Sequence, residues 1–166
     1  DFGITFPTYI RAWEDARMAE DYGFSHAWFY DSQMLYSDVY ASMALVATHT
    51  RSIKIGTLVS ILGNRIAPVT AHSIATINEL APGRVVLGVG TGFTGRNVMG
   101  MPPIKLKVMR EHVGIIRDLL AGDEVAVRVL AISTASPSMK VTAVTKVNPK
   151  NSAIAQYENG TRTRSV

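Results

Sequence analysis

The stretch RVVLGVGTGFTGRNVMG, Arg84 to Gly100, holds a literal G-x-G-x-x-G from Gly90 to Gly95, directly behind an apolar run that reads as a strand. A dinucleotide-binding turn would put this motif in the first βα turn of its unit. It would also start a helix inside the motif and place an acidic residue about 20 positions on, at the end of the next strand. Here the run before the motif is the fourth strand-like segment, and Gly100 with Pro102-Pro103 breaks any helix leaving it. Glu111, at the right distance, falls inside a helical pattern. The stretch is therefore expected to be the glycine-rich end of a parallel strand, with no helix starting among the six residues. Gly88, Gly90 and Gly92 would let backbone approach a ligand closely. Alternate glycines would equally let a strand pack on bulky neighbours, and both uses stay open.

Working outward, FGITF (Phe2 to Phe6) is a short apolar run stopped by Pro7, and HAWFYDS (His26 to Ser32) and IKIGTLVSIL (Ile53 to Leu62) are of the same kind. Between them lie helical patterns. The first carries Ile10, Trp13, Ala16, Met18 and Ala19 near helical spacing and stops at Gly23. The second has Ser37 or Asp38 as its N-cap, and the third is opened by Pro68 and closed at Pro82-Gly83. A fourth helix follows the Pro102-Pro103 break and closes at Gly122. Four βα units whose strands are apolar throughout imply an α/β fold with a parallel sheet covered by helices. A doubly wound open sheet and a closed (β/α)8 barrel both share this pattern.

From Val125 the composition shifts to Ser, Thr, Val, Ala and Lys without a further βα unit. Residues 125–166 are expected to be an atypical tail of one or two loose strands and then disordered chain, and residues 1–124 the ordered unit.

The 166 residues suffice for one domain with a sizeable core, at 47% hydrophobic content. Lys and Arg total 17 against 13 Asp and Glu, a balance of +4, but the charges are scattered and not interleaved with aromatics, so nucleic acid is not an expected partner. Without cysteine the chain has no disulfide and no thiolate zinc site, which fits the cytoplasm. No apolar run of about 20 residues suggests a membrane span.

The histidines His26, His49, His72 and His112 show no metal-ligand spacing and are read as structural. Trp13 and Trp28 are read as core. Arg65 and Arg84 are candidate anion partners, with solvated side chains beside turns as the simpler expectation. No metal site and no catalytic residue is assigned from spacing.

Four segments together carry a family resemblance: WFYDSQ (28–33), TRSIKIGTLVS (50–60), RIAPVTAHSIATINELAPGRVVLGVGTG (65–92) and MREHVGIIRDLLAGDEV (109–125). The chain resembles the luciferase-like monooxygenase superfamily, including its methylenetetrahydromethanopterin reductases, from about residue 2 to residue 124. The resemblance implies a (β/α)8 TIM-type barrel, here its N-terminal half of about four βα units plus the irregular tail, since a whole barrel takes about 250 residues. It also implies an oxidoreductase or monooxygenase that uses FMN or coenzyme F420 on a small organic substrate. The alternatives kept beside it are a truncated, catalytically impaired half-barrel that dimerises, and a Rossmann-like nucleotide-binding module. Two open sheet edges make a homo-oligomer the expected state.

The resemblance further assigns site residues. Asp31 stands where the family places an acidic residue against the flavin or deazaflavin ring; as a bare residue at a strand end it could equally be an N-cap or Asx-turn. Leu58, Val59 and Ser60 match a segment that often carries a non-prolyl cis peptide behind the ring. Gly90, Thr91 and Gly92 match positions that line the cofactor, with the Thr91 hydroxyl as a hydrogen-bond donor. Ser32 and Phe93 occupy positions where the F420-dependent sugar-phosphate dehydrogenases of the family carry a catalytic His and Glu. Ile61-Leu62 replaces the family's usual Asn-Pro, which would put two apolar residues in a loop.

Overall fold

In the computed structural model of the chain, the structure describes residues 1–127 and 139–142. Four strands, β1 (Gly3–Phe6), β2 (His26–Phe29), β3 (Lys54–Ile61) and β4 (Val85–Gly90), alternate with helices α1 (Ala12–Asp21), α2 (Val39–His49) and α3 (Ala67–Leu80). Two further helices, α4 (Phe93–Val98) and α5 (Leu106–Ala121), follow β4. The end signals in the sequence act as expected. The Asp38 carboxylate accepts from the N–H groups of Tyr40 and Ala41, each at 3.0 Å, and caps α2. Pro68 occupies the first turn of α3, where its missing N–H costs no bond.

All four strands are parallel and lie in the order β1-β2-β3-β4. That order decides between the two architectures. A doubly wound sheet reverses its strand order at a switch point, whereas a barrel adds each new strand on the same side of the last. The sequential order makes this sheet part of a (β/α)8 barrel and rules out the Rossmann-like module.

The helices pack in a row on one face, α1 on α2, α2 on α3 and α3 on α5. Phe6, Ala27, Phe29 and Ile55 meet Ala12, Ala16, Met43, Val46 and Ile74 there in the main core. A smaller cluster of Leu62, Ala67, Ala71 and Ile116 seats α5. On α1 the buried stripe is the small-residue set Ala12, Ala16 and Ala19, while Met18 is 56% exposed and Ile10 also faces out, contrary to the expected spacing. Alanines bring the helix close to its neighbours, and the bulky side chains are turned away. Trp13 packs against the core and stacks on His49 at 4.1 Å. Trp28 lies on the opposite, inner face of the sheet, half-buried, where its ring fills the room a side chain on Gly56 would need.

At the N-terminal ends of the strands, charged side chains staple backbone. Glu20, at the end of α1, accepts the N–H groups of Arg51, Ser52 and Ile53 and the Ser52 hydroxyl. Burial works to raise its pKa, but these four donors together hold it at about 2. Arg84, read from sequence as solvated, donates to the carbonyls of Ala47, Thr50 and Ile53 and to the Thr50 hydroxyl. It closes the C-terminal end of α2, and burial lowers its pKa.

Past α5, β5 (Glu124–Val127) and β6 (Met139–Thr142) form an antiparallel pair separate from the main sheet. The loose-strand expectation thus meets an ordered pair at 124–127 and 139–142; the disordered stretch expected further on lies outside the described residues. Among the described residues no helix is long and apolar enough to cross a membrane.

Candidate functional site

Asp31 sits where the C-terminal ends of β2 and β3 meet, with the end of β4 paired to β3 beside it. The strand β2 stops at Phe29, and Asp31 turns inward just beyond it, 3% exposed. Its Oδ1 accepts from Arg65 Nη1 at 3.0 Å and from the Gln33 amide. Its Oδ2 accepts from Arg65 Nη1 at 2.9 Å, the Ile61 N–H at 3.0 Å and the Ser60 hydroxyl at 3.1 Å. Asp31 is neither a helix N-cap nor a lone Asx-turn, because its donors come mostly from β3 and the loop after it.

Arg65, whose side chain is 15% exposed, also donates through Nη2 to Asp38 at 2.7 Å. Its guanidinium carbon lies 4.7 Å from the centre of the Tyr40 ring. The solvated side chain expected at this position is instead the cation of a half-buried cluster. Burial works to lower its pKa, but the Asp31 charge and the bonds to both carboxylates raise it above the usual arginine value. For Asp38 burial works upward, yet the Ala41 and Tyr40 N–H groups and Arg65 take its pKa below the ordinary one. The Tyr40 hydroxyl is 2.7 Å from Ser60 Oγ; burial first and the Asp31 charge after it push this phenol up. A cleft of about 220 Å³ opens beside the cluster, lined by Asp31, Gln33, Met34, Tyr36, Asp38 and Arg65 among others.

The three residues assigned on β3 divide. The Leu58–Val59 peptide is cis, and the register with β4 shifts between Thr57 and Ser60. Leu58 is 45% exposed and Val59 half-buried, while Ser60 is buried in the Asp31 network. Ile61 ends the strand and Leu62 follows it, both buried, so the pair is core and not the apolar loop expected from the Asn-Pro departure.

Along β4, Val85, Leu87 and Val89 pack toward the helices, which leaves Gly88 and Gly90 on the inner face beside Val59. A Cβ on Gly88 would lie 2.3 Å from the Thr57 carbonyl oxygen and one on Gly90 2.4 Å from Val59 Cγ2. Of the two uses left open for these glycines, the packing one is therefore visible: they make room for the shifted β3. Thr91 is half-buried, and its carbonyl accepts from the Ile104 N–H at 3.0 Å.

Gly92, at φ 84, caps a helix that does start inside the motif, contrary to expectation: α4 runs from Phe93 to Val98. It is 6 residues long, so it ends before the breakers at Gly100 and Pro102. Its Gly95 packs on the tip of β2, where a Cβ would come within 3.2 Å of Ser32 Cα. Arg96 then ties α4 to the Gly63 carbonyl, the Asn64 side chain and the Pro102 carbonyl. Phe93 is 71% exposed beside the site. His26 stacks on Trp28, and His112 Nδ1 lies 3.0 Å from the Leu62 carbonyl. Among the described residues no cluster of side chains has the makings of a metal site.

The structure thus gathers Asp31, Ser60 and the ends of β3 and β4 at one end of the sheet. Two residues that sequence reasoning did not place there, Arg65 and Tyr40, hold the gathering together. On the inner face beside it, Val59, Gly88 and Gly90 make an apolar wall, with the exposed Leu58 joined to Val59 at the cis peptide.

Comparison with known proteins agrees with this fold. The family model described as luciferase-like monooxygenase matches residues 6–146. The 5,10-methylenetetrahydromethanopterin reductase of Methanolobus tindarius is 35% identical over 131 residues, 75% of this chain and 39% of the relative. Among solved structures, the coenzyme F420 dependent tetrahydromethanopterin reductase of Methanopyrus kandleri superposes with a TM-score of 0.69 at 26% identity, covering 82% of this chain and 45% of the other. The oxygenating constituent of the 3,6-diketocamphane monooxygenase of Pseudomonas putida, in complex with FMN, gives 0.67 at 16% identity, covering 83% and 44%. The chain spans less than half the length of each of these relatives.

Proposed function

Starting from a chain that belongs to the luciferase-like monooxygenase family, we propose that it takes part in oxidoreduction of a small organic substrate with FMN or coenzyme F420 held at the C-terminal ends of β2 to β4. The observation that carries this reading is the wall of Val59, Gly88 and Gly90 with the adjoining Leu58. It is apolar, carries no projecting side chain from β4, and stands at the end of a parallel sheet where barrel enzymes build their sites. A flavin or deazaflavin ring, flat and aromatic with polar edges, fits such a wall. When bound, it supplies the hydride or oxygen chemistry, and the protein's share is to bind and orient it.

In this reading Leu58, Val59 and Gly90 back the ring, and the Thr91 hydroxyl donates a hydrogen bond at its edge. Asp31 and Ser60 hold the end of β3 from behind, and Gly92 sets the direction of α4. Ser32 and Phe93 offer no acid or base, so the proposed chemistry uses no proton-transfer pair at those positions. The higher identity to an F420-dependent reductase than to the FMN-bound monooxygenase favours the deazaflavin. Absorbance and fluorescence titrations with FMN, F420 and NAD test the reading: saturable binding of FMN or F420 supports it, and binding of neither refutes it.

The homo-oligomer expectation belongs to the same proposal. Among the described residues β1 and β4 are the edges of the sheet, and the unpaired N–H and C=O groups of an edge strand are a template for pairing with another chain. Light scattering across a concentration series would show a mass above 18.0 kDa; a monomer at every concentration would refute it.

A further inference from the structure

We propose that Arg65 is a positioning residue of this site, acting through Asp31, and that Asp31 is an acceptor hub that fixes the end of β3 and takes no part in proton transfer. The proposal rests on the cofactor reading above. A carboxylate offers about four lone-pair directions. Asp31 receives both contacts of Arg65 Nη1, the Gln33 amide, the Ser60 hydroxyl and the Ile61 N–H, all from inside the chain. At 3% exposure it has no lone pair left to turn toward a ligand.

What Asp31 holds is the backbone directly after the wall. Ser60 and Ile61 follow Val59 without a spacer, so their two bonds to Oδ2 set where Leu58 and Val59 stand against Gly90. Arg65 locks that arrangement to the helices. One guanidinium joins Asp31 at the end of β2 to Asp38 at the start of α2, and it lies over the ring of Tyr40, whose hydroxyl meets Ser60. Two nitrogens of one planar guanidinium bond the two carboxylates in a fixed geometry, which the single point charge of an ammonium does not reproduce. Without that guanidinium, two carboxylates face each other with one of them buried and unpaired.

The test compares the full chain with Arg65→Lys, Asp38→Asn, Asp31→Asn and the Arg65→Lys/Asp31→Asn pair. Three quantities are read: the Kd for FMN and for F420, the NMR shift and exchange rate of the Ile61 amide, and the thermal midpoint. Arg65→Lys is expected to move the Ile61 amide and to weaken cofactor binding by about tenfold or more, as a displaced wall would. Asp38→Asn keeps the helix cap but loses one ion pair, and is expected to weaken binding about threefold; it serves as the second variant if Arg65→Lys does not fold. The double variant should bind no worse than the weaker single one, since both changes act on one link. Wild-type affinity and a wild-type Ile61 amide in Arg65→Lys overturn the proposal, as do additive losses in the pair, because Asp31 would then meet the cofactor independently. A wild-type chain that binds neither cofactor overturns the cofactor reading itself and this proposal with it.

Discussion

Val59 occupies the space beside Gly90 that a side chain there would need: a Cβ on Gly90 would stand 2.4 Å from Val59 Cγ2. The glycine is thus demanded by the neighbouring strand. Gly90→Ala should cost about 1–3 kcal/mol through overpacking. Adding Val59→Ala should recover most of that loss, since the second change removes the atoms in conflict. Urea unfolding of both singles and the double measures this; strictly additive losses would mean the contact is relieved by backbone movement.

Gly92 has a different constraint. At φ 84 it caps α4, and a Cβ would also meet Ile61 Cγ2 at 2.3 Å. Gly100 has a similar backbone, φ 70, with nothing within 4 Å of an added Cβ. Gly100→Ala should therefore cost about 1 kcal/mol for the left-handed backbone alone. Gly92→Ala should cost distinctly more, and equal midpoints in thermal unfolding would count against the steric part.

Glu20 carries a pH dependence. Its folded pKa of about 2 lies below the ordinary 4.5. A carboxylate depressed in this way contributes its full stability above the ordinary value and loses it as pH falls through the folded one. Stability should decline from about pH 4.5 toward pH 2 on account of this group. Glu20→Gln should lower stability at pH 7 by about 1–3 kcal/mol, as weakened bonds to a charged acceptor do, and flatten that decline. An unchanged acid limb in the variant would contradict the assignment.

Arg84 closes α2 from the far end of the sheet. Arg84→Met leaves the Ala47 and Thr50 carbonyls without their donor, and should cost about 1–3 kcal/mol. Cofactor affinity should stay unchanged, because the residue lies at the opposite end of the strands from Asp31. A large fall in affinity at unchanged stability would show that the two ends are coupled.

Much of this fold could be read locally. Each βα unit carries its own periodicity and stop signals, so the four strands and a cap at Ser37 or Asp38 follow from neighbours in sequence. The strand order does not, because strand-like segments look alike whether the sheet winds once or twice. The breakers Gly100 and Pro102-Pro103 hide the helix α4 in the sequence, because its six residues fit between Gly92 and Met99 before they act. At the site, Asp31 is singled out by the family resemblance alone, because an aspartate at a strand end serves equally as an N-cap or Asx-turn. Its partners Ser60, Ile61 and Arg65 are about thirty residues away, and nothing in the spacing of single residues announces a contact at that distance. Arg65 is a candidate anion partner in the sequence, but only the fold names its anions, the carboxylates of Asp31 and Asp38.

The central claim is that a flavin or deazaflavin lies against the ends of β3 and β4. The measurement that tests it most directly is an NMR titration of the isotope-labelled chain with FMN and with F420, following every backbone amide. The account predicts saturable shifts concentrated at Leu58 to Ser60 and Gly90 to Gly92, with the amides of Arg51, Ser52 and Ile53 at the other end of the sheet unmoved. Saturable shifts centred on that other end, or none at all with either molecule, would contradict it.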